Sequence, residues 1–139
     1  MKFRKYTFIL TRALLAIIFL WVVADRLSLL GPAGNNGVVW GNFETFLEYT
    51  ATLNPWFPRG LSDVLGYLIT ILEVILAVFL IVGIRMKETS IVCIALLITF
   101  TLSMTFSIGI KEALDFIIFT IVLTAASLYI YWESKQKLN

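Results

Sequence analysis

Glu73 is the residue of this 139-residue chain whose position most needs a chemical explanation. It lies in a long apolar segment, twelve residues from Leu61 and twelve from Arg85. In a helix that places it about 18 Å from either end, near the middle of a bilayer, where an ionised carboxylate costs about 2.5–3.5 kcal/mol. Two interpretations follow: an acid that carries a proton or binds a ligand, or a neutral or ion-paired residue that fixes helix packing.

Arg12 is the partner that the sequence predicts for Glu73. Counted from one membrane face, Arg12 lies about 9 Å deep on the first apolar segment, and Glu73 about 18 Å deep on the second. An extended arginine side chain spans most of that difference, so neighbouring antiparallel helices would bring the two charges together. The alternative is that Arg12 extends along its own helix to the headgroups.

A second candidate site lies at the other end of the first segment. Asp25 and Arg26 close that segment, and Asp63 and Asp115 lie near helix ends on the same side. These four residues predict a polar cluster at the mouth of a helix bundle. The alternative is a solvated membrane edge, where the helix dipole alone favours an acid such as Asp115.

Other kinds of site are excluded by residue type. The chain has no histidine and a single cysteine, Cys93. The lack of histidine excludes a histidine-ligated haem, the common zinc and copper sites and a histidine general base. One thiol cannot form a dithiol redox pair. We therefore expect no metal site, and we assign no catalytic residue.

The composition places these residues in a membrane protein. Hydrophobic residues make up 60% and charged residues 14% of the chain, against roughly 45–50% and 25% in an average soluble domain. Mean hydropathy is +0.93. Because a helix crosses the hydrocarbon core with about 20 apolar residues, the length allows one integral membrane domain, 1–139, with four crossings. The dispersed basic residues carry no nucleic-acid signal.

Hydropathy divides the chain into four spans and one long loop. The spans are predicted at about 6–30, 61–84, 89–110 and 113–132, with an outer loop at 31–60. For the first span, a cleavable signal peptide is the alternative, because basic residues precede a short apolar core. The predicted fold is an all-α antiparallel four-transmembrane-helix bundle.

The outer loop contains one further helical pattern. Its apolar residues share one half of a helical wheel, while Glu44 and Glu48 share the other half; the apolar set is Trp40, Phe43, Phe46, Leu47 and Tyr49. This pattern predicts a short amphipathic helix.

Basic residues are distributed unequally between the two ends of the predicted bundle. Three of them, Arg26, Arg59 and Lys111, fall on the side of the loop. Seven fall on the other side: Lys2, Arg4, Lys5, Arg85, Lys87, Lys135 and Lys137. The positive-inside rule therefore predicts a multi-pass protein of the plasma membrane with both termini cytoplasmic.

Several of these positions together resemble a known family. They are Arg12, Phe19 and Arg26-Leu27 in the first span, and Glu73, Ala77, Gly83 and Arg85 in the run EVILAVFLIVGIRMK, with the loop segments ADRLSLLGPAG and VVWGNFETFLEYTATLNPWFP. Over about residues 8–128 the chain resembles the DoxX/DoxD-like family of small four-helix membrane proteins. Val23 and Ala77 stand where such proteins often have glycine, which implies slightly less close helix contact.

The resemblance implies association with redox systems, such as the DoxD-type subunit of a thiosulfate:quinone oxidoreductase. We therefore expect an integral membrane subunit or scaffold of a membrane-associated redox complex, in contact with lipid and with partner redox subunits. No cofactor is evident from the residues, and the resemblance adds a quinone as the candidate ligand. Two alternatives stay open: a stand-alone binder or carrier of a small lipophilic molecule that uses Glu73, or a purely structural membrane protein.

Overall fold

Five α-helices make up the structure. A computed structural model describes the backbone of residues 2–136 and the side chains of residues 2–115 and 122–136. Of this structure, 80% is helical, and residues 2–136 contain no β-strand. In chain order the helices are α1 (Lys2–Arg26), α2 (Phe43–Leu53), α3 (Arg59–Val82), α4 (Met86–Ser107) and α5 (Ile110–Gln136). The prediction of an all-α fold is confirmed.

Within the described residues, three helices are long and apolar enough to cross a membrane: α1, α3 and α4. Large apolar side chains point outward from them, such as Ile17, Ile71 and Ile98, each exposed over about half of its surface. Lipid tails are as apolar as these side chains, so a bilayer covers them without cost. The prediction of a membrane-embedded protein is thus confirmed. The fourth predicted segment lies within α5.

The long helices pack as two pairs. α1 lies along α3, and α4 lies along α5; the pairs meet where α1 contacts α5 and α3 contacts α4. Buried apolar side chains from all four helices form one core, which includes Leu15, Phe19, Leu76, Leu97 and Ile130. Because α1 and α3 are antiparallel neighbours, polar residues on their facing sides come within reach of each other.

α1 ends at Arg26, four residues earlier than the predicted span. The N–H of Leu29 donates to the carbonyl of Ala24 at 3.0 Å, and the N–H of Ser28 donates to that of Asp25 at 3.2 Å. Ser28 takes the left-handed conformation with a φ of 63°. These are the features of a Schellman C-cap, which turns the chain away from the helix axis directly after Arg26.

The predicted amphipathic helix is present as α2. Asn42 caps its start, where the side-chain oxygen accepts from the N–H of Thr45 at 2.8 Å, as preferred N-cap residues do. Phe46 and Leu47 are buried, while Glu44 and Glu48 are exposed. The helix begins three residues after Trp40, which therefore belongs to the preceding loop.

α2 lies close against the first half of α3. A Cβ atom at Gly66 of α3 would come within 2.5 Å of the Cδ2 atom of Leu47, so glycine permits this approach. We call residues 27–58 the cap, because they cover one end of the paired long helices. The end of α4 and the start of α5 lie at this same cap end, since α4 contacts α2 there.

Candidate functional site

A buried ion pair joins α1 to α3 beneath the cap. Arg26 is 1% exposed and Glu73 is 4% exposed. The Nη1 atom of Arg26 donates to the Oε2 atom of Glu73, and Nη2 lies 3.3 Å from Oε1. Nη1 also lies 3.1 Å from the hydroxyl oxygen of Thr70, one turn before Glu73 on α3. Both carboxylate oxygens of Glu73 therefore face the guanidinium.

Two aromatic rings of the cap cover the guanidinium of Arg26. Its Cζ atom lies 3.8 Å from the ring centre of Phe46 and 5.1 Å from that of Trp40. Both distances are within the range of cation–π attraction, which is stronger where water is excluded. The Nε atom of Arg26 and the Nε1 atom of Trp40 are buried without a hydrogen-bond partner in the described structure. The guanidinium is therefore held by the carboxylate of Glu73 and by the faces of the two rings, and not by a full set of hydrogen bonds.

Asp25 binds the loop that carries Trp40. Its carboxylate, 2% exposed, accepts backbone N–H groups from Val39 at 2.8 Å, Trp40 at 3.3 Å and Gly41 at 2.7 Å. Successive backbone amides form a concavity that suits an anion. Gly41 has a φ of 72°, and a Cβ there would lie 2.5 Å from the backbone nitrogen of Ala33. The loop therefore folds around Asp25 and places the Trp40 ring over Arg26.

Glu73 pairs with Arg26 and not with Arg12, the partner predicted from the sequence. In a helix, each Cα–Cβ bond leans toward the helix N-terminus. Arg26, at the end of α1, therefore leans back toward the middle of the bundle, and Glu73 on antiparallel α3 leans toward the cap. The two side chains approach each other. Arg12 leans toward the start of α1, away from Glu73.

Arg12 instead covers the end of α3. Its Nε atom donates to the carbonyl of Leu80 at 2.8 Å and its Nη2 atom to that of Ile81 at 3.1 Å. These carbonyls belong to the last turn of α3. No following helical turn supplies N–H groups to bind them. A Cβ at Gly83 would lie 2.6 Å from Nη2 of Arg12. Arg12 thus joins α1 to α3 at the end opposite the cap.

The predicted four-residue cluster at the bundle mouth is divided in the structure. Asp25 and Arg26 are buried, each with partners of its own. Asp63 pairs with Arg59, one turn earlier on α3, at 2.8 Å, and Asp115 is exposed. Among the described side chains, no ion pair joins Asp63 or Asp115 to Arg26. Asp63 lies ten residues before Glu73, about 15 Å along α3.

Three residues of the observed site were absent from the predicted one: Trp40, Phe46 and Thr70. Thr70 carries a usable signal, because a residue three positions before Glu73 lies on the same helix face. The helical-wheel pattern places Trp40 and Phe46 on the apolar side of a predicted helix. No local pattern in the sequence shows that this side contacts a buried arginine. Within the part of the chain described, no group of three or more acidic or cysteine residues lies close enough to hold a metal ion.

A protein-family model matches the chain over residues 4–115 and is described as methylamine utilisation protein MauE. The match covers most of the chain, including every residue of the site above. The chain belongs to the MauE family. No curated protein and no solved structure matches it significantly.

The MauE match corrects the family resemblance that was inferred from the sequence. The DoxX/DoxD-like assignment is wrong, because the model that matches is MauE and no DoxX model does. Arg12, Arg26 and Glu73 were among the positions that carried that resemblance. Any small bundle of antiparallel membrane helices must neutralise its buried charges and cap its helix ends, so residues of these types at these positions do not distinguish one such family from another.

A double-mutant cycle tests the Arg26–Glu73 pair in this MauE-family protein. Glu73→Gln removes the hydrogen-bonded counter-charge of buried Arg26 and should destabilise the fold by about 3–5 kcal/mol. Adding Arg26→Met removes the stranded charge and should recover much of that loss. Unfolding in mild detergent measures both changes. The matched control is Arg12→Met with Glu73→Gln, whose effects should add; coupling of Glu73 to Arg12 instead of Arg26 contradicts the pairing.

A second prediction concerns Asp25. In Asp25→Asn, an amide N–H₂ replaces one of the oxygens that face backbone N–H groups, at a cost of about 1–3 kcal/mol. The amides of Val39 and Gly41 should then exchange hydrogen faster. Amide exchange followed by mass spectrometry measures this, with exposed Asp115→Asn as the control. Unchanged protection of residues 39–41 in Asp25→Asn would show that other contacts hold the loop.

Proposed function

We propose that this MauE-family protein is an integral membrane subunit of a methylamine-utilisation system, and that it supports partner proteins instead of catalysing a reaction alone. The family description supports the pathway. The geometry of the buried charges favours a structural role, because Arg26, Glu73 and Asp25 all contact the protein's own cap or helices. Together they hold a folded cap at one end of the membrane helices.

The observation that carries the proposal is that both carboxylate oxygens of Glu73 face Arg26. A carboxylate bound in this way stabilises the attachment of α1 to α3 and the position of the cap. The cap in turn exposes Glu44, Glu48 and Trp56. An exposed tryptophan is a residue type enriched at protein interfaces. Trp56, held at the cap end of the membrane helices, therefore suits contact with another subunit of a membrane-associated redox complex.

Growth on methylamine tests the proposal. Cells of the source organism that lack the protein should fail to grow with methylamine as the sole nitrogen source and should grow normally on ammonium. Expression of the wild-type chain should restore growth. Equal growth of the deleted and wild-type cells on methylamine would contradict a role in methylamine utilisation.

The Arg26→Met/Glu73→Gln double variant separates a supporting role from a chemical one. If the two charges serve only to hold the cap, a folded double variant should restore growth on methylamine. A double variant that is present in the membrane at wild-type level but does not restore growth indicates a chemical role for Glu73, such as ligand binding. The Arg12→Met variant, altered at the other end of α1 and α3, is the control.

Two expectations from the sequence stay predictions. A quinone ligand was implied by the DoxX-like resemblance, and the MauE assignment removes that support. A lipophilic ligand held by Glu73 requires Arg26 to release the carboxylate or to bind the ligand together with it. The growth test with the double variant bears directly on this second expectation.

We also propose that α5 crosses the membrane, which completes a bundle of four spans in the plasma membrane. Its 27 residues correspond to about 40 Å of helix, more than the hydrocarbon core requires. It lies along α4 after a turn of two residues, so it returns across the same distance. An even number of spans then places both termini on one side, and the basic residues near them favour the cytoplasmic side.

Cysteine labelling tests this topology. In a Cys93→Ala background, a cysteine at position 36 in the cap should react with a membrane-impermeant thiol reagent added to intact cells. A cysteine at position 136, at the end of α5, should react only after the cells are opened. If position 136 is labelled in intact cells, then α5 does not return to the cytoplasmic side.

A further inference from the structure

A cavity of about 420 Å³ lies between α3 and α4, beneath the C-terminal part of α2. Its volume is within the range of sites that bind small molecules, about 300–1,000 Å³. Apolar side chains form its walls, among them Leu65, Ile69 and Leu72 of α3 and Leu96 and Phe100 of α4. It does not include Arg26 or Glu73, and it is therefore separate from the site described above.

The cavity is elongated along the helices. On α3 its wall runs from Leu65 to Leu72, and on α4 from Val92 to Ser103. At about 1.5 Å per residue these stretches correspond to about 10 Å and 16 Å. The cavity thus begins under the cap and extends to about the middle of the membrane helices, which suits a linear chain.

The cavity is not enclosed, because three of its lining residues on α4, Val92, Ala95 and Thr99, are exposed. Leu68 of α3 and Ile98 of α4, neighbours of wall residues on the two helices, are exposed over about half of their surfaces. Both belong to helices that cross the membrane, so the mouth opens on hydrocarbon. Apolar cavities do not take up water. Lipid chains are therefore the molecules available to fill it.

The polar groups in the cavity wall are already used within the protein. The hydroxyl of Thr50 donates to the carbonyl of Phe46, the amide of Asn54 to that of Thr50, and the hydroxyl of Ser103 to that of Leu53. The hydroxyl protons of Thr50 and Ser103 are therefore not free to bind the carbonyl oxygens of a quinone ring. No charged side chain is among the described wall residues, so a phosphate group has no partner inside.

We propose that this cavity binds one acyl chain of a membrane phospholipid, inserted between α3 and α4 beneath α2, while the headgroup stays outside at the cap end. The inference rests on the membrane helices and not on the role in methylamine utilisation. The bound chain fills the space where α3 and α4 separate, and it supports α2 from below. At the roof, Ser103 of α4 donates to Leu53 of α2 at 2.8 Å, so the chain lies under the contact that joins α2 to α4.

Photochemical cross-linking tests the proposal. The full-length protein is reconstituted in vesicles of phosphatidylcholine that carry a diazirine at the middle of one acyl chain. After illumination, peptides are analysed by mass spectrometry. Cross-links should concentrate on the cavity wall, at Leu72 and Leu96, over outward-facing residues such as Ile17. Labelling that is uniform over all lipid-facing residues overturns the proposal.

Two variants fill the cavity from opposite walls: Thr99→Phe on α4 and Ile69→Trp on α3. Each should lower cross-linking at the cavity wall about tenfold, equivalent to about 1.4 kcal/mol, because a chain forced into a filled space meets steric strain. Ile98→Phe places the same phenyl ring one position away, outside the cavity, and should leave cross-linking unchanged. Thermal unfolding identifies any variant that fails to fold. Unchanged cross-linking in a folded Thr99→Phe or Ile69→Trp protein overturns the proposal.

A competition arm distinguishes the source of the chain. Unlabelled phosphatidylcholine in excess should reduce cavity cross-linking, and an isoprenoid quinone at the same concentration should reduce it less. Stronger competition by the quinone overturns the assignment to a phospholipid acyl chain. Growth on methylamine of cells that express Thr99→Phe is a separate measurement, and it tests the proposed function alone. The cross-linking result tests the lipid site alone. A failure of one proposal can therefore be told apart from a failure of the other.

Discussion

The fold at the cap end depends on the neutralisation of one buried arginine. Water is excluded from Arg26, and an ion of its size loses several kcal/mol of hydration on such burial. Glu73 supplies the opposite charge from α3, and the rings of Phe46 and Trp40 supply their negative faces from the cap. Because these partners come from three separate parts of the chain, the requirement to neutralise one side chain fixes α1, α3 and the cap relative to each other.

Two arginines join α1 to α3 at opposite ends. Arg26 binds a carboxylate under the cap, and Arg12 binds the free carbonyls of Leu80 and Ile81 at the end of α3. Both side chains lean toward the start of α1, which decides the partner of each. Among the described residues, no ion pair or arginine–carbonyl hydrogen bond joins α3 to α4. The cavity lies between these two helices.

The cap connects the charged site with this cavity. α2 presents Phe46 to Arg26 on one side and Thr50 and Leu53 to the cavity on the other. Gly66 allows α2 to approach α3 closely between the two. A protein built in this way holds a folded segment at one end of its long apolar helices through contacts on both sides of that segment, in line with the supporting role proposed above.

The sequence by itself determined the membrane location, the helical segments and the amphipathic α2, because hydropathy and periodicity are local properties. It also identified Glu73 as a costly residue, since charge in an apolar segment is visible without a structure, and Arg26 as a member of a candidate polar cluster. Only the tertiary structure decided their pairing. Depth along the membrane alone favoured Arg12, whereas the direction of side chains on antiparallel helices selected Arg26. The folding of the loop around Asp25, which brings Trp40 over that arginine, likewise depends on contacts between residues distant in sequence.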